Sequence, residues 1–259
     1  MSLYEYIAAD YDAVTGESAR VGPARRFLGA LARLRPLRRA LDAACGTGLH
    51  AVMLAEMGTA VTGADISQAM LDRAADRARA AGATVEWLCA PMQELARHVA
   101  GPFDAVLCLG NSLPHLLTDA DLDAALAGFA ALLAPDGLAV LQVLNYARIL
   151  ARGERIVGVT RSGGRQFIRF YDFPPPSKLG CVPSFGPGEL IQFNVLTLDW
   201  RDGGCETDLV STPLRPSRPG ELDAACRRAG LARIERFGGL DFRPFDEAES
   251  DVLVIVAGR

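Results

Sequence analysis

The sequence contains few residues from which a metal centre or a disulfide framework could be built. Its 259 residues include three histidines and six cysteines, with no Cys-x-x-Cys pair and no His-Glu-x-x-His motif. Three of the cysteines lie inside apolar runs, where cysteine acts as a small hydrophobe. We therefore expect reduced cysteines, a cytoplasmic location and no bound metal.

Excess positive charge is also missing. Lysine and arginine number 27 against 31 aspartates and glutamates, which gives a formal net charge of -4. Arginines are concentrated between Arg20 and Arg39, but such charges usually form the solvated face of a helix. Because phosphate binding normally needs a broad positive field, we do not expect nucleic acid as a partner.

Long apolar runs are absent as well. No stretch approaches the roughly 20 apolar residues that a membrane span needs, and residues 1–12 show no secretory signal. We therefore expect no membrane partner and a small molecule as substrate. The sequence leaves the oligomeric state open, with a homo-oligomer as one option.

Short apolar runs alternate with helical periodicity over the first 150 residues. Strands are predicted over residues 40–44, 60–65, 85–89, 103–109 and 138–144. Helices are predicted after Pro23, from 49 to Met57, from Ser67 to 81 and from Thr118 through Leu133. This alternation predicts a parallel sheet with right-handed crossovers, whose ligands bind at the carboxyl ends of the strands.

The pattern changes between about Arg152 and Arg215, where β-rich segments predict an antiparallel insertion. These segments are Arg165–Phe173, Leu190–Trp200 and Glu206–Thr212, with a Pro174-Pro175-Pro176 run between the first two. A helix over 220–229 and strands over 231–237 and 251–257 then follow.

The fold class predicted is α/β, a doubly wound, mostly parallel sheet with an antiparallel β-rich insertion. We divide it into a core with an amino-terminal lid (residues 1–150), a substrate cap (151–216) and the last part of the core sheet (217–259).

Two glycines, Gly46 and Gly48, lie where the first strand turns into a helix, so the backbone there can approach a ligand closely. With Ala51 they also fit a dinucleotide pattern, so a nicotinamide-dependent oxidoreductase stays open as an alternative. Asp42 favours a different cofactor, because it would repel a pyrophosphate and attract a sulfonium or an ammonium group. Asp65 ends the second strand and can accept hydrogen bonds from ribose hydroxyls.

Three segments resemble the class I S-adenosylmethionine-dependent methyltransferases and, within them, the glycine/sarcosine N-methyltransferase branch. They are residues 40–48, residues 61–67 with Met70 and Leu71, and residues 103–112 with His115 and Leu116. The resemblance covers about residues 20 to 150. It implies a Rossmann-like fold with a reversed last strand, S-adenosylmethionine as cofactor, and in-line methyl transfer to a small metabolite.

Carried over position by position, the resemblance implies a cofactor site and two catalytic residues. The predicted cofactor-binding residues are Tyr11, Arg20, Asp42, Ala44, Gly46, Gly48, Asp65, Ile66, Met70, Met92, Leu109 and His115. Asn111 and His115 are the predicted catalytic residues, although His115 could equally be a hydrogen-bonded core histidine. Tyr4 or Tyr6 could take the place of Tyr11 as the lid tyrosine.

Two positions depart from the family pattern. Ala90-Pro91-Met92 lacks the acidic or amide side chain that often reaches adenine, so adenine recognition must rest on the Met92 backbone and apolar contact. Leu144 stands where glycine methylators carry an arginine for the substrate carboxylate. We therefore predict an amine or hydroxyl acceptor that is larger and less polar than glycine, with Arg165 or Arg169 as an alternative carboxylate contact.

Besides the oxidoreductase, a non-catalytic S-adenosylmethionine-binding module stays open, because binding and chemistry are separate requirements. Methylation of nucleic acid bases is disfavoured. The fourth strand leads into Leu109-Gly110-Asn111-Ser112, which is not the Asn/Asp-Pro-Pro-aromatic motif typical of such enzymes.

Overall fold

The computed structural model describes residues 3–173, 189–201 and 204–259. The helices are α1 (Leu3–Ile7), α2 (Tyr11–Thr15), α3 (Glu17–Leu34), α4 (Leu49–Glu56), α5 (Gln68–Ala81), α6 (Leu95–His98), α7 (Asp119–Leu132), α8 (Tyr146–Arg152) and α9 (Pro219–Arg228). The strands are β1 (Arg39–Ala43), β2 (Ala60–Asp65), β3 (Glu86–Cys89), β4 (Phe103–Cys108), β5 (Leu133–Leu144), β6 (Ile156–Ser162), β7 (Arg165–Asp172), β8 (Ile191–Arg201), β9 (Gly204–Leu214), β10 (Arg233–Phe237) and β11 (Val252–Gly258). The run of three prolines and Cys181 lie outside the described residues.

The main sheet has the order β10-β11-β5-β4-β1-β2-β3. Strands β1 to β5 are parallel, whereas β11 is antiparallel to both of its neighbours. Alternate side chains of β4 face opposite layers: Val106 belongs to the same buried cluster as Phe129 of α7, and Leu107 belongs to the same cluster as Phe27 of α3. The predicted doubly wound sheet with a reversed last strand is therefore confirmed.

Local sequence signals set several helix ends. The Ser67 hydroxyl accepts a hydrogen bond from the Met70 N–H at 3.3 Å, and the Thr118 hydroxyl accepts one from the Asp121 N–H at 3.1 Å. These bonds satisfy amide groups that have no partner inside the helix. Both caps agree with the prediction.

A second sheet of order β6-β7-β8-β9 is antiparallel and packs over the carboxyl ends of the main sheet. Tyr171 and Leu214 join the core beneath it, while Phe167 and Val195 pack against the lid helices α1 and α2. Strand β6 was missed by the sequence prediction. Its side chains are mostly exposed or half-buried, so it lacks the alternation of apolar and polar residues that marks a strand.

Two predicted boundaries were wrong. Helix α3 begins at Glu17 rather than after Pro23, since one missing N–H does not outweigh the packing of the residues around it. Strand β5 begins at Leu133 rather than at 138, because Leu133 pairs with Phe103 before a register shift. Within the described residues, no helix has both the length and the apolar character that crossing a membrane requires.

Candidate functional site

Two cavities meet at the carboxyl ends of the main strands. The first, here called the turn cavity, has a volume of about 550 Å³. Its lining includes Tyr4, Tyr11, Ala44, Gly46, Asp65, Ile66, Met70, Met92, Gly110 and His115. The second, here called the cap cavity, has a volume of about 340 Å³ and lies under the antiparallel sheet. Its lining includes Tyr4, Tyr11, Arg20, Gly110, Asn111, His115, Leu144, Arg169 and Tyr171.

The loop after β1 is held open towards the turn cavity by Asp65 at the end of β2. One carboxylate oxygen of Asp65 accepts a hydrogen bond from the Gly46 N–H at 2.8 Å, and the other accepts one from the Ser67 N–H at 2.9 Å. Each oxygen keeps a further lone pair. Burial raises the pKa of Asp65, while the N–H donors of Ser67, Gly46 and Ile66 oppose that rise. Asp65 therefore both shapes the loop and offers acceptors to a ligand.

The two glycines of the loop have different roles. Gly46 lines the turn cavity with a φ of 55°, next to the Tyr11 ring. Gly48 lines neither cavity, and a Cβ on it would lie 2.8 Å from the Ala74 Cβ and 2.9 Å from the Trp87 ring. Gly48 thus permits close packing between the loop and α5 rather than contact with a ligand.

Asp42 is also absent from the walls of both cavities. It is 1% exposed behind the loop, and one of its carboxylate oxygens has no hydrogen-bond partner among the described residues. Burial raises the pKa of Asp42 to about 7 despite a hydrogen bond from the Ala51 backbone. The prediction of direct cofactor contacts by Asp42 and Gly48 is therefore not supported by their positions, because both lie behind the loop.

Asn111 lies on the wall of the cap cavity with an unusual backbone conformation, φ 71°. Its side-chain N–H donates to the Tyr146 hydroxyl at 2.9 Å, and its carbonyl oxygen accepts from the Leu144 N–H at 2.9 Å. The amide therefore ties the loop after β4 to the end of β5. Its observed contacts are those of a positioning residue at the cavity wall.

His115 lies at the junction of the two cavities. Its Nε2 is 2.6 Å from the hydroxyl oxygen of Tyr4, and the two rings meet edge to face. Burial lowers the pKa of His115 to about 4, so the imidazole is neutral at neutral pH. Tyr4, which the sequence offered only as an alternative to Tyr11, lines both cavities together with Tyr11. Tyr6, by contrast, is exposed.

The lid formed by α1 and α2 is fastened to the loop and to the cap. Arg77 of α5 binds Asp12 at 2.7 Å and also pairs with Glu17, and it donates to the Thr47 carbonyl oxygen at 2.8 Å. On the other side, Arg165 of β7 pairs with Asp10. The lid is therefore tied to the loop on one side and to the cap on the other.

The remaining predicted residues also fall at the site. Arg20 donates a hydrogen bond to the Thr15 hydroxyl at 3.0 Å, and its guanidinium lies beside Gly110. It borders a small recess beside the loop that Ala44 and Leu109 also line. Gln142, which sequence reasoning missed, lines the cap cavity and accepts a hydrogen bond from the Gly110 N–H at 3.2 Å. Its signal in the sequence is that it is the only polar residue in the apolar run 138–144.

Comparisons with known proteins agree with this arrangement. Residues 40–137 match a family model described as a methyltransferase domain. The glycine/sarcosine N-methyltransferase of Halorhodospira halochloris is 40% identical over 119 residues, which cover 46% of this chain and 44% of that protein. A dTDP-3-amino-3,6-dideoxy-alpha-D-glucopyranose N,N-dimethyltransferase of Streptomyces fradiae is 35% identical over 129 residues, which cover 50% of this chain and 48% of that protein. The chain thus spans about half the length of the curated relatives it matches.

Similarity to solved structures extends over nearly the whole chain. The CcbJ methyltransferase of Streptomyces caelestis has a TM-score of 0.74 and 25% identity, with 91% of this chain and 93% of that chain covered. An S-adenosylmethionine-dependent methyltransferase of Clostridium acetobutylicum has a TM-score of 0.79 at 15% identity, with 98% of each chain covered. These similarities show the fold, and the methyltransferase domain matched by residues 40–137 does not favour the nicotinamide alternative. Residues 40–137 thus match a methyltransferase domain, and over about half its length the chain is similar to glycine/sarcosine N-methyltransferases.

Proposed function

We propose that this protein transfers the methyl group of S-adenosylmethionine to an amine or hydroxyl of a small organic metabolite. One observation carries the proposal: the turn cavity and the cap cavity adjoin, since both are lined by Tyr4, Tyr11, Gly110 and His115. A cofactor in the first cavity can therefore face an acceptor in the second. When bound, the cofactor supplies a sulfonium-activated methyl group with a good leaving group already in place.

The residues of the turn cavity fit this cofactor. Asp65 offers carboxylate oxygens to the ribose, and Gly46 leaves room for close approach of the backbone. Ile66, Met70 and Met92 provide apolar surface for the adenine. Arg20, at the recess beside the loop, is placed for the methionine carboxylate.

At the junction, the chain aligns the two reactants rather than forming a bond with either. His115 is neutral and therefore does not repel a cationic sulfonium, and its contact with Tyr4 fixes both rings. Asn111 holds the loop that forms the wall on the acceptor side. Alignment and exclusion of water are the main sources of rate for such an in-line displacement.

Similarity to the curated relatives favours an amine over other nucleophiles. The two curated relatives named above are N-methyltransferases named for glycine and sarcosine and for an amino sugar. Leu144 and Phe193 add apolar surface to the cap cavity, so we expect an acceptor larger than glycine. A cytoplasmic location remains a prediction from the sequence, and the sequence leaves the oligomeric state open.

The proposal is tested by incubating the protein with S-adenosylmethionine labelled on the methyl group and a panel of amines and phenols. We expect label in at least one product. Calorimetry should show binding of S-adenosylhomocysteine and none of a nicotinamide dinucleotide. Cofactor binding without transfer to any metabolite, including an extract of small molecules, would favour the non-catalytic alternative.

A matched pair of histidine variants tests the junction. His115→Asn should lower kcat at least about tenfold, because it removes the ring that meets Tyr4. His98→Asn, at an exposed position on α6, should leave kcat unchanged. Equal kcat values for the two variants would contradict a role for His115 in the reaction.

A further inference from the structure

The charged side chains of the cap cavity are both cationic. Among the described residues that line it, Arg20 and Arg169 carry positive charge and no carboxylate is present. Arg20 is hydrogen-bonded to Thr15 and borders the recess proposed for the cofactor carboxylate. Arg169 is a half-buried cation on the opposite wall, and its buried Nε has no hydrogen-bond partner in the described part of the chain.

The fold makes room for the Arg169 guanidinium. Arg169 of β7 is in register with Gly158 of β6, and a Cβ on Gly158 would lie 2.7 Å from its Nη2. Arg165, four residues earlier on the same face of β7, is already paired with Asp10 of the lid. Of the two arginines on β7, Arg169 is thus the one directed into the cap cavity without a carboxylate partner.

The surroundings of Arg169 favour the binding of an anion. Burial and the nearby charge of Arg20 both disfavour its charged form and lower its pKa, while Tyr11 and Tyr171 act in the opposite direction. A half-buried guanidinium is normally matched by a carboxylate, which it binds through two parallel hydrogen bonds. Most of the remaining wall is apolar, including Ile7, Val157 and Leu214.

On the basis of the proposed methyl transfer, we propose that Arg169 binds a carboxylate of the methyl acceptor. The acceptor is then an amine with an apolar body and one carboxylate. The apolar body lies against the wall beside Leu144, the carboxylate lies on the guanidinium, and the amine faces the junction at His115. Arg169 is thus a specificity-determining residue supplied by the cap rather than by the core sheet.

Binding measurements test the proposed role of Arg169 independently of turnover. The probes are matched pairs with and without a carboxylate: phenylalanine and phenethylamine, leucine and 3-methylbutylamine, and 4-aminobenzoate and aniline. Calorimetry is performed with S-adenosylhomocysteine present. At least one carboxylate should bind the unmodified protein at least about tenfold more tightly than its partner. If no pair shows this preference, the proposal is overturned.

Three variants test whether Arg169 is the residue that produces the preference for a carboxylate. Arg169→Met should abolish it, Arg169→Lys should keep part of it, and Arg161→Met, an exposed charge on β6, should leave it unchanged. The Kd of S-adenosylhomocysteine should be the same in all three, which also shows that they fold. If Arg169→Met weakens cofactor binding tenfold and keeps the carboxylate preference, Arg169 serves the cofactor and the proposal fails.

Methyl transfer is measured on the same pairs with labelled cofactor. Transfer to the carboxylate members, with a KM that rises at least about tenfold in Arg169→Met, supports both proposals. Carboxylates that bind through Arg169 but accept no label would contradict the proposed methyl transfer to these amines. The assignment of Arg169 as an anion-binding residue would stand in that case.

Discussion

Replacing Asp42 by asparagine tests whether the carboxyl behind the glycine loop titrates near neutral pH. Burial raises its pKa from an ordinary value of 3.8 to about 7. Folding therefore favours the protonated form. The stability that Asp42 contributes is fully present below about pH 4 and is lost as the pH rises through about 7. At about 1.4 kcal/mol for each tenfold change in proton affinity, the complete loss is roughly 4 kcal/mol.

Asparagine keeps the shape of the carboxyl group and carries no charge at any pH. Urea unfolding at pH values between 4.5 and 8, without cofactor, gives the free energy of unfolding of each protein. The free energy of the unmodified protein minus that of Asp42→Asn should fall by roughly 3 kcal/mol across this range, because the first part of the loss occurs below pH 4.5. Taking the difference removes the contributions of groups that titrate in both proteins, such as Asp65 and His115.

The exposed Asp136 provides the control. Asp136→Asn should follow the pH dependence of the unmodified protein, since this side chain lies at the surface. Parallel pH profiles for the unmodified protein and Asp42→Asn would refute the reasoning. They would mean that Asp42 is already charged in the folded state at pH 5, in spite of its burial.

Three further predictions concern the cofactor, the lid and the acceptor. Asp65→Asn should weaken S-adenosylhomocysteine binding at least about tenfold by calorimetry, because charge-assisted hydrogen bonds are each worth about 1.5 to 3 kcal/mol; an unchanged Kd would remove Asp65 from the site. Arg77→Met should lower the Tm by about 3 to 8 °C, whereas the exposed Arg79→Met should change it by less than about 2 °C; equal Tm values would show that Arg77 does not hold the lid. Leu144→Arg should introduce glycine methylation in the radiolabel assay, and glycine turnover by the unmodified protein would contradict the inference from Leu144.

Features set by neighbouring residues were predictable from the sequence. Ser67 and Thr118 cap helices through bonds to residues three positions on, so their roles could be read from spacing alone. Asp65 and Gly46 were predictable because strand ends in a parallel sheet meet at one edge. The prediction of S-adenosylmethionine as the cofactor came from the resemblance to known methyltransferases.

Features set by pairing between distant segments were not predictable. The position of Arg169 depends on the register of β7 against β6, and β6 itself has no apolar alternation. The location of Asp42 behind the loop, rather than on the cavity wall, follows from how α4 packs on β1. Asn111 joins Tyr146 and Leu144 across more than thirty residues of sequence, which spacing rules do not describe.

The placement of Tyr4 and Tyr11 has a consequence for the order of events. Both side chains belong to the lid and line both cavities, so one lid borders both proposed ligand sites. Under the proposed function, a displacement of α1 and α2 that frees the spent cofactor would also uncover the methylated product. The rate of that opening would then set the ceiling on turnover whenever it is slower than methyl transfer.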